Sequence, residues 1–166
     1  MDKNISVRIN GNLYRKSVPL RMLLVDFLRD ECHLTGTHVG CTHEGVCGAC
    51  TVQLEGNAVK SCMLLAIQAD GKDVKTVEAM ATDSEHLHPL QKAFNSCHAL
   101  QCGFCTPGIL MNIEEFLRCN PSPTEAEIRH ALVGNICRCT GYTNIVAAVM
   151  YASKEVSQNS SARSDK

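Results

Sequence analysis

Apolar and polar residues alternate over residues 5–9, a spacing typical of a strand with one buried face. The pair Asn10-Gly11 follows, which is a strong hairpin-turn signal. Residues 13–18 are predicted to return beside the first strand, and a mostly apolar segment over residues 22–29 is predicted to be a helix. The chain therefore opens with a β-hairpin and a packed helix.

Three more short strands are predicted after an irregular loop. The loop covers residues 36–48 and is rich in Gly, Thr and His. Strand character resumes over residues 50–54, returns over residues 58–62 and appears again over residues 74–77. Strand, strand, helix and further strands are the order of a small α+β domain with a half-open sheet.

After about residue 80 the apolar spacing becomes helical. Pro89 marks one helix start, and Thr106 is predicted to cap a second helix with Pro107 at its first position. Thr124 and Glu127 form a capping box for a third helix. A last helix is predicted from residues 143–144 onward, and the polar segment after it resembles a loose tail.

These patterns divide the chain into a domain at residues 1–79, a helical domain at residues 80–157 and a flexible tail at residues 158–166. Each domain has about 80 residues or fewer, and domains of that size are marginally stable from burial alone. A metal centre in each would contribute folding free energy directly.

Composition narrows the class of protein. The chain has 166 residues, 45% of them hydrophobic and 20% charged, and its formal net charge is −1. Such a balance argues against nucleic acid and anionic membranes as partners, and no apolar run is long enough to span a bilayer. The N-terminus lacks the apolar segment of a signal peptide. We therefore expect a cytoplasmic protein.

Eleven cysteines are too many for an ordinary cytosolic domain. Disulfides are disfavoured because the expected compartment is reducing and the count is odd. Eight of the thiols form two groups beside glycines, and four thiolates suit one [2Fe–2S] cluster. The first group is Cys41, Cys47, Cys50 and Cys62; the second is Cys102, Cys105, Cys137 and Cys139.

The first group departs from the plant-type ferredoxin spacing, because five residues separate Cys41 from Cys47 where that pattern has four. We favour Cys41 as a ligand with the extra residue absorbed in the loop, and Cys32 is the alternative. Gly45 and Gly48 allow the backbone angles that wrap a loop around a cluster, and backbone N–H groups are expected to approach the thiolates.

The second group has 31 residues between its two pairs, each pair lying near a predicted helix end. Structural zinc is the alternative for this group. His43 is close enough to the first group to be a Rieske-type ligand in principle, although four cysteines already suffice. Cys97 and Cys119 lie on or near predicted helices and are interpreted as core fillers.

Three segments together resemble the iron–sulfur subunit of molybdenum hydroxylases, the xanthine oxidase family. They are Gly40-Cys41 with Cys47-Gly48-Ala49-Cys50-Thr51-Val52, then Gln101-Cys102-Gly103-Phe104-Cys105-Thr106-Pro107-Gly108, and Cys137-Arg138-Cys139-Thr140-Gly141-Tyr142. The resemblance covers residues 3–155. It implies a β-grasp ferredoxin-like [2Fe–2S] domain followed by a four-helix-bundle [2Fe–2S] domain.

The resemblance also implies a function. The chain would be the small, electron-transfer subunit of a molybdenum-containing oxidoreductase, relaying electrons from a molybdopterin centre through two [2Fe–2S] clusters to FAD. The molybdenum cofactor and the FAD would lie on a large and a medium partner subunit, in a dimer of heterotrimers. Gln101 would contact the molybdopterin, with Cys139 as a ligand near it, and the substrate would be chosen by another chain.

Two other functions compete with this one. A free-standing two-cluster ferredoxin would also need both thiol groups, although the net charge of −1 fits a permanently assembled subunit better than a diffusing acidic carrier. A zinc-stapled interaction module would use the thiols without redox chemistry.

Overall fold

The alternating residues at the start of the chain form an inner strand of a five-stranded sheet in the computed structural model. The structure describes residues 1–81, 83 and 86–164, with side chains described up to residue 155. The sheet order is β2-β1-β5-β3-β4, and its neighbouring strands are antiparallel except for the parallel pair β1 and β5. The strands are β1 (Asp2–Ile9), β2 (Asn12–Pro19), β3 (Thr51–Leu54), β4 (Asn57–Lys60) and β5 (Asp73–Lys75).

The predicted hairpin is confirmed. Asn10 and Gly11 have φ angles of 52° and 83°, the left-handed backbone that a two-residue turn needs to match the twist of its strands. Ile9 pairs with Asn12 across this turn. Ile5, Val7 and Ile9 are 3% exposed or less, so the alternation does bury one face of β1.

The first helix differs from the predicted residues 22–29. Helix α1 covers Leu24–Asp26 and continues as a π-helical turn over Phe27–Glu31. Its start is delayed because the chain before it bonds to a neighbouring loop: Leu24 N–H donates to the Leu64 carbonyl over 2.7 Å, and the Met22 carbonyl accepts from Ala66 N–H over 2.8 Å. The helix still buries its predicted apolar face in the first core.

Four helices form the second domain: α2 (Pro89–Ser96), α3 (Thr106–Cys119), α4 (Glu125–Ala131) and α5 (Thr143–Ser164). Pro89 begins α2, and the capping box of Thr124 and Glu127 is present. Thr106 was predicted as a cap and this is wrong: it is the first residue of α3, and Cys105 occupies the cap position. The largest buried side chains of this core are Leu90, Phe94, Ile109, Met111, Ile113, Ile128 and Ile145.

The C-terminal boundary stays a prediction. Helix α5 continues to Ser164, and the side chains after residue 155 lie outside the described residues. The boundary between residues 79 and 80 likewise remains an expectation.

No helix within the described part of the chain is long and apolar enough to cross a membrane.

Helix α3 joins the two domains by packing against β3 and β4. The buried amide of Gln53 donates to the Met111 carbonyl over 3.0 Å and to Glu114 Oε2 over 2.6 Å. Lys75 Nζ lies 2.6 Å from the other oxygen of the Glu114 carboxylate. The helical domain is thus fixed against the sheet by specific polar contacts, which hold its cysteine loops beside those of the first domain.

Candidate metal centres

The extra residue of the first cysteine loop is accommodated by a tight turn. Thr42 and His43 both have positive φ angles, 50° and 67°, and Glu44 N–H donates to the Cys41 carbonyl over 3.1 Å. Two consecutive left-handed residues closed by this bond are the pattern of a type I′ turn. His43 Nε2 lies 3.4 Å from Asp26 Oδ1, so one of its ring nitrogens is engaged with helix α1.

Backbone N–H groups point at the Cys41 thiol. Hydrogen bonding from Cys47 N–H, the largest influence, and from Val46 and Glu44 lowers the pKa of Cys41 to about 6. A thiol with that pKa is mostly thiolate at neutral pH, the form that binds metal. Gly45 and Gly48 both have φ angles of +70°, which is the backbone freedom predicted for a wrapping loop.

The other two thiols of the first group lie deeper. Cys50 and Cys62 are 2% and 4% exposed. Burial raises the pKa of Cys50 to about 12, and the Cys62 thiol lies within hydrogen-bonding reach of it. Since Cys47 also acts electrostatically on Cys50, the four predicted ligands of this group are neighbours in space, with an outer pair of Cys41 and Cys47 and an inner pair of Cys50 and Cys62.

The second group has the same arrangement. Cys102 and Cys139 are exposed, and their Sγ atoms lie 3.5 Å apart. Cys105 and Cys137 form the inner pair; burial, followed by the neighbouring Cys137, raises the pKa of Cys105 to about 12. The four thiols therefore converge from loops that are distant in sequence.

Two residues after the second pair support Cys137, and sequence reasoning assigned them no role. Burial opposes ionisation of Cys137, yet hydrogen bonds from the Thr140 hydroxyl and N–H lower its pKa overall. Tyr142 Oη accepts from Cys137 N–H over 2.9 Å and donates to the Asn135 carbonyl over 3.2 Å. The position of Thr140 and Tyr142 directly after the Cys-x-Cys pair was the one feature of the sequence that could have indicated this supporting role.

The donor set fits a binuclear cluster. A single zinc ion requires all of its sulfur ligands about 2.3 Å from one point. A [2Fe–2S] cluster divides four thiolates between two irons. Each group of thiols is already divided into two neighbouring pairs, which matches that requirement.

The remaining thiols lie apart from both groups. Cys32 is 7% exposed and packs in the core of the first domain, where burial raises its pKa to about 11. Cys97 packs partly against the second core, as predicted. Cys119 does not fill a core: it is the exposed last residue of α3, so that interpretation is wrong.

Gln101 is exposed, and its side chain has no hydrogen-bond partner among the described residues. Helix α3 begins five residues later, at Thr106, with Cys105 at its cap, so the amide does not cap this helix. It stands beside the exposed Cys102, on the outer side of the second thiol group.

The two thiol groups meet at the domain junction. Ile136 N–H, one residue before Cys137, donates to the Cys47 carbonyl over 2.8 Å. The rings of His38 and Phe104 stack with their centroids 4.7 Å apart, and His38 Nδ1 donates to the Phe104 carbonyl over 2.8 Å. A predicted ligand of the first group is therefore one hydrogen bond and one residue away from a predicted ligand of the second.

Comparison with known proteins agrees with this division. Residues 7–81 match the family described as 2Fe-2S iron-sulfur cluster binding domain, and residues 76–150 match the [2Fe-2S] binding domain family. The chain is 52% identical over 148 residues to caffeine dehydrogenase subunit gamma of Pseudomonas sp. (strain CBB1), covering 87% of each chain. It is 51% identical over 152 residues to the nicotine 6-hydroxylase small subunit of Paenarthrobacter nicotinovorans, covering 92% of this chain and 90% of that one.

A solved structure extends the similarity to the whole fold. Quinoline 2-oxidoreductase from Pseudomonas putida 86 superposes with a TM-score of 0.89 at 42% identity, covering 95% of this chain and 97% of that one. The fold and the paired thiols define a protein with two [2Fe–2S] binding domains. More specifically, the chain belongs to the iron–sulfur small subunits of molybdenum hydroxylases.

Proposed function

We propose that this subunit relays electrons in one direction, entering at the second thiol group and leaving at the first. The bound clusters would supply one-electron redox chemistry. The observation that carries the relay between the two groups is the hydrogen bond from Ile136 N–H to the Cys47 carbonyl, 2.8 Å long. It connects the two groups through a short, rigid path at a junction that α3 fixes in place.

The proposed ligands are the eight paired thiols. The first cluster would be held by Cys41, Cys47, Cys50 and Cys62, and the second by Cys102, Cys105, Cys137 and Cys139. The lowered pKa values of Cys41 and Cys137 favour the thiolate. Cys50 and Cys105, whose pKa values are raised by burial, would lose their protons to the bound metal.

The orientation is proposed from what each group exposes. Gln101 offers two N–H donors and one carbonyl acceptor beside the exposed Cys102 and Cys139, which suits the polar edge of a molybdopterin. The first group has the exposed apolar side chains of Val46 and Met63 near it. We propose that this second surface faces the FAD-bearing subunit.

The proposed assembly contains a large molybdenum-cofactor subunit and a medium FAD subunit, arranged as a dimer of heterotrimers in the cytoplasm. Support comes from relatives whose names describe subunits of larger enzymes. Those relatives are named for different compounds, caffeine and nicotine, while their iron–sulfur subunits remain about half identical to this chain. The substrate is accordingly expected to be selected by the large subunit.

The orientation is tested with Gln101→Ala in the assembled enzyme. Substrate should reduce the clusters more slowly, because the amide contact on the molybdopterin side is lost, while reoxidation through the flavin stays normal. Asn95→Ala removes another exposed amide, on α2, and serves as the matched control with both rates unchanged. Slower reoxidation with normal substrate reduction would mean that the orientation is reversed.

The ligand assignment is tested separately by iron analysis and EPR of the reduced protein. About four irons per chain and two EPR signals are expected from two [2Fe–2S] clusters. Two irons and one signal would refute one of the two ligand sets.

A further inference from the structure

Lys60 occupies a position between the two thiol groups that none of the cysteine motifs includes. It is the half-buried last residue of β4, and its Nζ donates to the Gly45 carbonyl over 2.7 Å. Gly45 lies in the loop between Cys41 and Cys47. A Cβ atom added to Gly134, on the other side of the junction, would lie only 3.2 Å from Nζ.

The ammonium of Lys60 lacks an anionic partner within the described part of the chain, where no carboxylate oxygen lies within 4.0 Å of it. Lys3, Lys16 and Lys75 each have a carboxylate oxygen within that distance. Removing a cation from water is costly unless an opposite charge compensates it. A backbone carbonyl satisfies one N–H of the ammonium but supplies no net charge.

The missing negative charge can come from the first cluster. Four thiolates and two sulfides outweigh the charge of two ferric irons, so an oxidised [2Fe–2S] centre is a net anion and becomes more negative on reduction. Nearby charge and hydrogen bonds are among the factors that set cluster potentials. We infer that Lys60 is the counter-cation of the first cluster and raises its reduction potential relative to that of the second.

This inference rests on the proposed ligands of the first cluster. Its observable is a reduction potential, whereas the ligand assignment is tested by the iron content and the number of EPR signals. A cation stabilises the reduced, more negative state more than the oxidised state. Lys60 would therefore favour electron transfer from the second cluster towards the first. Lys60 acts only through its charge, which makes the first cluster the more favourable site for the electron. It touches neither a substrate nor a reacting atom, so it is not a catalytic residue.

The test is an EPR-monitored redox titration of the isolated holo-protein, in which each cluster signal gives its own midpoint potential. Lys60→Gln is expected to make reduction of the first cluster about tenfold less favourable, a shift of about −59 mV for one electron, with a smaller change at the second cluster. Lys60→Arg, which retains the charge, should stay within a third of that shift. Lys72→Gln removes an exposed lysine directly before β5 and should leave both potentials unchanged.

An unchanged first potential in Lys60→Gln overturns the inference, as do equal shifts in Lys60→Gln and Lys60→Arg, since geometry would then matter more than charge. Lys60→Met is the second neutral variant in case the glutamine variant fails to assemble. If both neutral variants lose the first cluster while Lys60→Arg keeps it, the site requires the positive charge and the inference stands. Loss of the cluster in all three variants overturns it. Iron content of the wild type tests the ligand set independently.

Discussion

Replacing Gly48 by alanine should disrupt the junction between the two domains. A Cβ at this position would lie 2.2 Å from the Gly134 carbonyl oxygen and 2.6 Å from Asn135 Nδ2. The residue also has a φ angle of +70°, which disfavours any side chain. The steric overlap and the left-handed backbone conformation therefore both destabilise the Gly48→Ala variant. Substitutions at two other glycines of the chain measure each effect alone.

Gly71 isolates the backbone cost. Its φ angle is +75° and an added Cβ would meet nothing within 4 Å, so Gly71→Ala should cost only the left-handed conformation, about 1–2 kcal/mol. Gly108 isolates the steric cost: it lies within α3, and its Cβ would lie 2.2 Å from the Gly48 carbonyl oxygen. Overpacking typically costs about 1–3 kcal/mol, offset by up to about 1 kcal/mol of improved helix propensity.

Gly48→Ala should therefore destabilise the protein by about 2–5 kcal/mol, the sum of the two costs. The assay is thermal unfolding of the holo-protein followed by circular dichroism at a fixed scan rate, without oxygen. Each kcal/mol corresponds to about 2–4 °C in a protein of this size. Gly48→Ala should unfold at least about 2–4 °C below Gly71→Ala, a difference of at least about 1 kcal/mol.

Equal midpoints for Gly48→Ala and Gly71→Ala would refute the reasoning, because only the backbone conformation would then matter. Wild-type stability of Gly108→Ala would refute the steric part on its own, since the closest atom there, the Gly48 carbonyl oxygen, belongs to the backbone and cannot rotate away. Iron content, measured alongside, shows whether each variant still carries both clusters and keeps the comparison between holo-proteins.

Three further predictions concern single side chains. Serine substitutions outside the two thiol groups should leave both EPR signals intact, and loss of either signal would identify a misassigned ligand; the positions are Cys32, Cys97 and Cys119. Burial lowers the pKa of His88, so the stability that depends on its neutral form is complete above about pH 6.5 and is lost as the pH falls from there through the lower pKa of the folded state. The variant His88→Asn supplies a capping oxygen in place of His88 Nδ1, which accepts from Leu90 N–H, and should flatten this dependence in unfolding measurements, whereas an unchanged profile would assign it to another group. Tyr142→Phe removes the acceptor of Cys137 N–H and should change the second EPR signal while leaving the first unchanged; a change in the first alone would contradict the assigned grouping.

Local features of the fold follow from the sequence because they depend on neighbouring residues only. Asn10-Gly11 adopts the left-handed backbone that fixes the hairpin, and the Thr124 hydroxyl accepts from Glu127 N–H within one helical turn. The cysteine motifs are local in the same sense, which is why the family of the chain could be recognised from them. The prediction for α1 failed where a distant segment intervened: the loop at Leu64 bonds to Leu24 and delays the helix.

The sequence by itself determined the two-domain α+β organisation and the presence of eight thiols in two spaced groups. Only the tertiary structure decided which thiols are neighbours, since Cys102 meets Cys139 by closing a long loop between different helix ends. It also decided that Cys32 is packed in a core while Cys41 lies under backbone N–H groups. Lys60 shows the same limit most clearly: its Nζ bonds to Gly45 within the first domain, but it stands beside Gly134 only because the two domains pack together, and no pattern along the chain records that packing.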